Sequence, residues 1–399
     1  MNTKKDIDPV LINNILSSAK DYSALSAISI DGREISYNDL IDRAASIANA
    51  LKDSGVQNEP VAIWDSGRMT AYTGILGALM ASNSYLPLNS RFPRERNNII
   101  FKKSRSRAII LNYADFEEVK KIFDDEYEKP LLILDGVPES KPVESEFKLS
   151  FVRNESQMDI PEIISRPEDM AYLMFTSGTT GQPKGVPVSN RNVTAYLRNV
   201  LNMIGFYPGD RFSQMFDLTF DLSVHDLFVC WISGACLCIP GENQSLRVSK
   251  YIHQEKISVW FSVPSQAILL QRMRLLKQNA FPRLRISLFC GEPLPVNLAD
   301  SWQKAAPSSE IWNLYGPTET TIAVTSHQYH PAHKEEKCKN GIVSIGKVFQ
   351  GHEKEYLDGH DGKGILAVSG EQVVEGYYFD PYNTQKAFYK KDSKNWYST

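Results

Sequence analysis

The chain has 399 residues, 42% hydrophobic and 23% charged, with a formal net charge of −3. That length exceeds one simple core and predicts two or three subdomains. The balanced charge leaves no basic footprint for nucleic acid or an anionic membrane. No apolar run approaches transmembrane length and "MNTKKDIDPVLINNIL" has no signal-peptide core, so a cytoplasmic protein is expected.

In chain order, "ISYNDLIDRAASIANALKDSGV" predicts a short strand and then an amphipathic helix, with Leu40, Ile41, Ala44, Ile47, Ala48 and Leu51 on one face and Gly55 as the stop. "VAIWD" reads as a strand. "MTAYTGILGALMASNSYLPL" reads as a small-residue helix running into another strand, and "RAIILN" and "LLILDG" as buried strands. Residues 113–146 are rich in charge and predict a solvated helix and loops. A second series follows Val193, with "ACLCIP", "ISVWFSVP" and "LRISLFCG" as strands and "PSQAILLQRMRLLKQN" as a helix. Past residue 326, short runs broken by Gly and Asp-Gly turns suggest a small antiparallel sheet or barrel. The fold class expected is α/β, as two stacked subdomains with largely parallel sheets plus a small distorted β-barrel. The boundaries expected are 1–187, 188–325 and 326–399.

The cysteines are Cys230, Cys236, Cys238, Cys290 and Cys338, an odd number without a C-x-x-C pair. Free thiols in a reducing compartment are expected. Cys236 and Cys238 alternate onto one face of a strand and read as small buried hydrophobes. His327, His330 and His333 lie three apart near Cys338. On a strand that spacing alternates faces, so a solvated connector is expected there rather than a metal site.

Between the apolar run "YLMF" and the helix-like "SNRNVTAYLRNVL", for which Ser189 or Asn190 is the N-cap, lies "TSGTTGQPKG". Gly178, Gly181 and Gly185 permit tight turns and a close backbone approach. Inward N–H groups form an anion nest, Thr176, Ser177, Thr179 and Thr180 add hydroxyls, and Lys184 adds a positive charge. A polyphosphate suits such a loop. The spacing is neither that of the ordinary P-loop nor that of the dinucleotide fingerprint.

"FTSGTTGQPKGVPVSNRNV" closely resembles the phosphate-loop signature of the adenylate-forming superfamily, which holds acyl-CoA synthetases, luciferases and the adenylation domains of nonribosomal peptide synthetases. "ISYNDLIDRAASIANAL", "ASNSYLPLNSRFPRERNNII", "NLYGPTETTIAVT" and "GILAVSGEQVVEGYY" resemble further core motifs, in family order and over nearly the whole chain. The resemblance implies that ATP and a carboxylic acid give an acyl-adenylate and pyrophosphate. It implies that Tyr315 stacks on adenine, that Asn313 lies near its edge, and that Gly291 and Gly316 let the backbone pass close. By the same likeness Thr318 reaches the α-phosphate, Glu319 holds Mg²⁺, and Lys184 assists.

"FDLTFDLSVHDLF" is similar to the F-D-x-S segment of amino-acid-activating domains, in which the Asp pairs with the substrate ammonium. Here that residue is Asp221, with Asp217 and Asp226 as acidic rivals. If the segment is helical, His225 shares the face of Asp221. The family pocket maps onto Leu222, His225, Phe261, Leu288, Cys290, Leu314, Ile322 and Ala323. This mostly apolar set suggests a small or medium amino acid such as alanine, 2-aminobutyrate, valine or proline. The partner implied is a carrier protein with a phosphopantetheine thiol.

Family members continue beyond "NWYST" with Gly-Asp, a hinge and a small domain carrying a lysine. The expectation is therefore an N-terminal core, poorly active as it stands, from a free-standing enzyme or an initiating module. The competing readings are a carboxylic acid–CoA ligase, opposed by Asp221, and a nucleotide-binding core without catalysis.

Overall fold

The computed structural model describes residues 6–30, 32–123, 129–138, 145–153, 158–177, 182–241, 247–333, 338–357 and 364–399. Among them the fold is α/β, with mixed and mostly parallel sheets.

The first sheet runs, in spatial order, Leu149–Phe151, Leu131–Asp135, Ala108–Asn112, Pro60–Asp65, Ser84–Asn89, Met170–Ser177 and Pro183–Ser189. All its neighbours are parallel except the last pair, an antiparallel hairpin. The helix Tyr37–Asp53 starts where Ser36 accepts from the Asp39 N–H, and the Asp39 side chain returns the bond in a capping box. The helix Met69–Met80 is buried on nearly every side, as its small-residue, all-apolar sequence requires. Helix Phe116–Phe123, expected to be solvated, turns Phe116, Val119, Ile122 and Phe123 into a core. Its charged residues take the other face.

The second sheet runs Lys347–Val348, Thr325–Tyr329, Glu310–Tyr315, Ile286–Phe289, Val259–Ser262, Arg211–Ser213, Cys236–Ile239, Ser26–Ile30 and Arg33–Ser36. Its middle six strands are parallel. A boundary at 187 therefore does not separate the sheets, because the hairpin of residues 26–36 crosses over to pair Ile28 with Leu237. Arg211 holds it there, bonding Glu34 at 2.7 Å and Glu255 at 2.8 Å, while Ser29 donates to Glu255 at 2.9 Å. Cys236 and Cys238 pack in one apolar cluster under Trp260 and Trp302, as small hydrophobes. Helix Pro264–Arg272 is shorter than its apolar pattern suggests, and Arg274 turns out of it with φ +57.

The small β unit is a four-stranded antiparallel sheet in the linear order Glu353–Leu357, Ile365–Ser369, Lys394–Ser398, Phe388–Lys391. No helix of the described residues is long and apolar enough to cross a membrane.

The helices Tyr37–Asp53 and Met69–Met80 touch so closely that a Cβ on Gly77 would lie 2.7 Å from Ile47 Cγ2 and 2.9 Å from the Ala44 carbonyl oxygen. Gly77→Ala is expected to lower stability by about 1–3 kcal/mol despite the better helix propensity of alanine. Chemical denaturation of the variant beside the parent checks this.

Candidate active site

Those of the sequence-predicted residues that are described collect near the carboxyl ends of both sheets, the position at which open α/β sheets bind ligands. Phe261, Leu288, Leu314 and Tyr315 lie at or near the ends of adjacent parallel strands, with Cys290, Gly291 and Gly316 just beyond them. From the first sheet, Asn89 ends the strand Ser84–Asn89, and its amide donates to Asp217. That bond sews the two edges together. Asp217 also accepts from the Thr219 N–H at 2.9 Å and the Thr219 hydroxyl at 2.7 Å. Its lone pairs are engaged in building the turn, so it is a poor candidate for a ligand amine.

Asp221 stands at the N-terminal end of helix Leu222–Ile232. Every residue of that helix is buried, its polar Ser223, His225 and Asp226 included. The Asp221 carboxylate is itself buried and accepts from the Ile322 N–H at 3.0 Å. Burial pushes its pKa up to about 6, against the Ile322 bond and aided by the negative Glu319 nearby. Asp226, next along the helix from His225, is fully buried, and burial raises its pKa against a backbone hydrogen bond from Met215.

His225 shares the Asp221 face of the helix as expected. It is fully buried, its Nδ1 lies 2.7 Å from the Tyr196 hydroxyl, and burial pushes its pKa down to about 3. The edge of its ring meets Phe261 at 4.8 Å between centroids. Leu222, Phe261, Leu288, Cys290, Leu314, Ile322 and Ala323 are all buried. A Cβ on Gly291, which has φ +87, would meet Leu222 Cδ1 at 3.6 Å, so these two segments adjoin.

The turn after Tyr315 is strained. Thr321 has φ +58 and Ile322 has φ +69, a conformation that costs a β-branched residue of order 1–3 kcal/mol. Gln372 holds it: the side-chain amide donates to the Thr320, Thr321 and Ala323 carbonyls at 3.2, 3.2 and 2.7 Å, while the Gln372 carbonyl accepts from the Thr321 hydroxyl at 2.6 Å. Gly316 is obligatory, since a Cβ would lie 2.6 Å from Ala323 Cα. Asn313 directs its amide donors to the Val343 and Ser344 carbonyls at 3.3 and 3.0 Å, fixing the connector behind the strand.

On the phosphate side, the segment Thr176–Gly185 is not one open loop. Pro183–Ser189 is a strand, with Thr176 opposite Lys184 and Phe175 opposite Gly185. The Gly178, Thr179, Thr180 and Gly181 positions, and the side chain of Ser177, lie outside the described residues. Ser189 caps the following helix, settling the choice between Ser189 and Asn190, and Asn192 closes a capping box. Lys184 extends its ammonium over the ring of Tyr377, 5.0 Å from the centroid. Tyr377 in turn donates from its hydroxyl to Glu319 Oε1 at 2.6 Å, and burial together with that carboxylate raises its pKa. Glu319 is buried.

Tyr377 and Gln372 are the members that residue patterns missed. Both lie in "GEQVVEGYY", legible as a motif but not as a contact. The Val374 N–H donates to the Glu319 carbonyl at 3.0 Å and the Tyr378 N–H to the Gly185 carbonyl at 2.8 Å. This strip therefore ties the phosphate hairpin to the Glu319 turn. Among the described residues no group of three His, Cys, Asp or Glu forms a metal cage, and His330 and His333 are exposed.

The chain belongs to the AMP-binding enzyme family, whose model matches residues 16–378. It is 26% identical over 405 residues to the D-alanine–D-alanyl carrier protein ligase of Bacillus licheniformis, covering 98% of this chain and 75% of that protein. The crystal structure of IdnL7 superposes with a TM-score of 0.89 at 30% identity, over 98% of this chain and 78% of that one. The Vibrio cholerae adenylation domain AlmE, solved with glycyl-adenosine-5′-phosphate, gives 0.88 at 29% identity, over 100% and 78%.

A carboxyl whose folded pKa lies above its unfolded value binds its proton more tightly in the fold. Folding therefore weakens as pH climbs from 3.8 to about 6 and stays weaker above. Asp221→Asn is expected to raise stability at pH 7–8 by on the order of 1–3 kcal/mol, with the gain vanishing near pH 4. Melting curves across that range, without ligand, measure it.

Proposed function

We propose that this protein activates an amino acid with ATP as an aminoacyl-adenylate, releasing pyrophosphate, for transfer to the phosphopantetheine thiol of a carrier protein. The observation that carries this reading is Asp221. This buried carboxylate is bonded by the Ile322 N–H and the Thr318 side chain, burial raises its pKa, and among the described residues it meets no cation to stabilise its charge. The α-ammonium of an amino acid supplies one, and a fatty or aryl acid does not. The carrier-protein ligase and the glycyl-adenylate complex among the relatives agree with this chemistry.

In this mechanism Asp221 grips the ammonium and aims the substrate carboxylate at the α-phosphorus. The carboxylate oxygen forms the new P–O bond as the bond to pyrophosphate breaks. Tyr315 and Gly291 would flank the adenine and Thr318 the α-phosphate. Lys184 and the segment joining it to Thr176 would receive the departing pyrophosphate. Mg²⁺ fits Glu319, since a hard cation takes one protein carboxylate and completes its shell with phosphate oxygens and water, and it would neutralise phosphate charge there. Tyr377 separates Lys184 from Glu319, its ring toward the cation and its hydroxyl toward the anion. It is a positioning residue: a direct Lys184–Glu319 pair would neutralise both.

Amino-acid-dependent exchange of labelled pyrophosphate into ATP is the test. One or a few amino acids should drive exchange, and Asp221→Ala should cut kcat/KM for the amino acid by about 10²–10³ with ATP binding intact. Exchange driven by an aryl or fatty acid, with amino acids inert, would favour the CoA-ligase reading.

Tyr377→Phe keeps the ring for Lys184 and removes the hydroxyl. The Mg²⁺ concentration giving half-maximal ATP binding, read by titration calorimetry, should rise about 10-fold, while affinity for the amino acid stays unchanged.

A further inference from the structure

His225 holds a polar atom that meets no partner among the described residues. The ring is fully buried, Nδ1 is engaged with the Tyr196 hydroxyl, and Nε2 meets no hydrogen-bonding group of the described residues. Buried polar atoms in native folds are nearly always paired, and one left alone is costly. This one sits one helical turn from Asp221 on the same face, beside Phe261 at the carboxyl edge of the sheet. An amino acid anchored to Asp221 by its ammonium would send its side chain along that face.

We propose that the amino acid accepted here carries a side-chain hydroxyl, of the serine or threonine kind, bonded to His225 Nε2. The inference rests on the amino-acid reading of the site given above. It departs from the purely apolar substrate that the mostly apolar lining suggests.

Three features select a hydroxyl. The imidazole is neutral, because burial pushes its pKa down to about 3, and the Cys290 thiol stays protonated, pushed up to about 12. With the other walls aliphatic or aromatic, a charged side chain would find no counter-charge. A carboxamide brings several donors and acceptors to a site offering one partner, and leaves the others unpaired. A hydroxyl brings one oxygen that both donates and accepts, so it satisfies Nε2 in either tautomer. Phe261 packs its ring against the imidazole, 4.8 Å between centroids, so both rings take up volume on that side of the site.

The test compares stable aminoacyl-adenylate mimics, 5′-O-(aminoacyl)sulfamoyl-adenosines, by titration calorimetry, because binding needs no turnover. Each hydroxyl-bearing mimic is paired with its deoxy partner in both stereochemical series: seryl with alanyl, threonyl with 2-aminobutyryl. The hydroxyl member should bind about 10- to 100-fold more tightly than its partner. His225→Leu should bring the ratio to about one while retaining the alanyl and 2-aminobutyryl mimics, whose binding reports an intact fold. Deoxy mimics binding as tightly as the hydroxyl ones in the parent protein would overturn the proposal, whatever the variant does, and leave amino-acid activation standing. An aryl- or fatty-acyl mimic preferred over every aminoacyl one would overturn the amino-acid reading and this inference with it.

Discussion

The bond from the Ile322 N–H to the Asp221 carboxylate is the point on which the site turns. It joins the end of a core helix to a backbone turn held in the left-handed region at two successive non-glycine residues. Neither partner is comfortable alone. The carboxylate is desolvated, and the turn costs conformational energy. The bond gives the charged form of Asp221 one donor and gives the strained N–H an acceptor. The remaining electrostatic deficit is what an ammonium would fill. A site built this way gives up stability in the unliganded protein for discrimination in the liganded one.

The strain is held from elsewhere in the chain. Gln372 spans the Thr320–Ala323 carbonyls, and Tyr377 reaches Glu319 from the same strip of backbone. Asn192, the N3 residue of the helix Asn190–Met203, donates to the Glu371 carbonyl at 2.7 Å. Residues 371–378 thus touch the phosphate hairpin, its following helix and the Glu319 turn at once. The small β unit is not an appendage to the two large sheets. It supplies the hydrogen bonds that fix the charged groups lying between them.

Charge separation is the second organising constraint. Lys184 and Glu319 both approach the place expected of the phosphates. Tyr377 lies between them, offering the cation a ring face and the anion a hydroxyl. The same economy governs the acids of "FDLTFDLSVHDLF". Asp217 builds a turn and bonds Asn89 across the sheet edges, burial raises the pKa of Asp226, and Asp221 bonds the Ile322 N–H.

Much of this was legible in the residues. Apolar runs and helical spacing gave elements such as Tyr37–Asp53, Pro60–Asp65, Ala108–Asn112 and Cys236–Ile239, but not Leu11–Asp21, Arg94–Ser104 or Val296–Ala305, and the helix start was narrowed to Ser189 or Asn190, because local backbone preference and apolar periodicity act over a few residues. The family motifs singled out Asp221, Lys184 and Glu319 as candidates. What periodicity could not give was the crossing of the hairpin 26–36 to the second sheet, the strand that narrows the phosphate loop, or the roles of Gln372, Tyr377 and the unpaired Nε2 of His225. Those depend on which atoms pairs such as Ile28 and Leu237, Gln372 and Thr320, His225 and Tyr196, or Thr176 and Lys184 present to one another. By itself the sequence determined the elements and the kinds of group available for chemistry; only the tertiary structure decided which of three aspartates is buried and still bonded to a strained turn, because desolvation and hydrogen-bond partners are properties of packing.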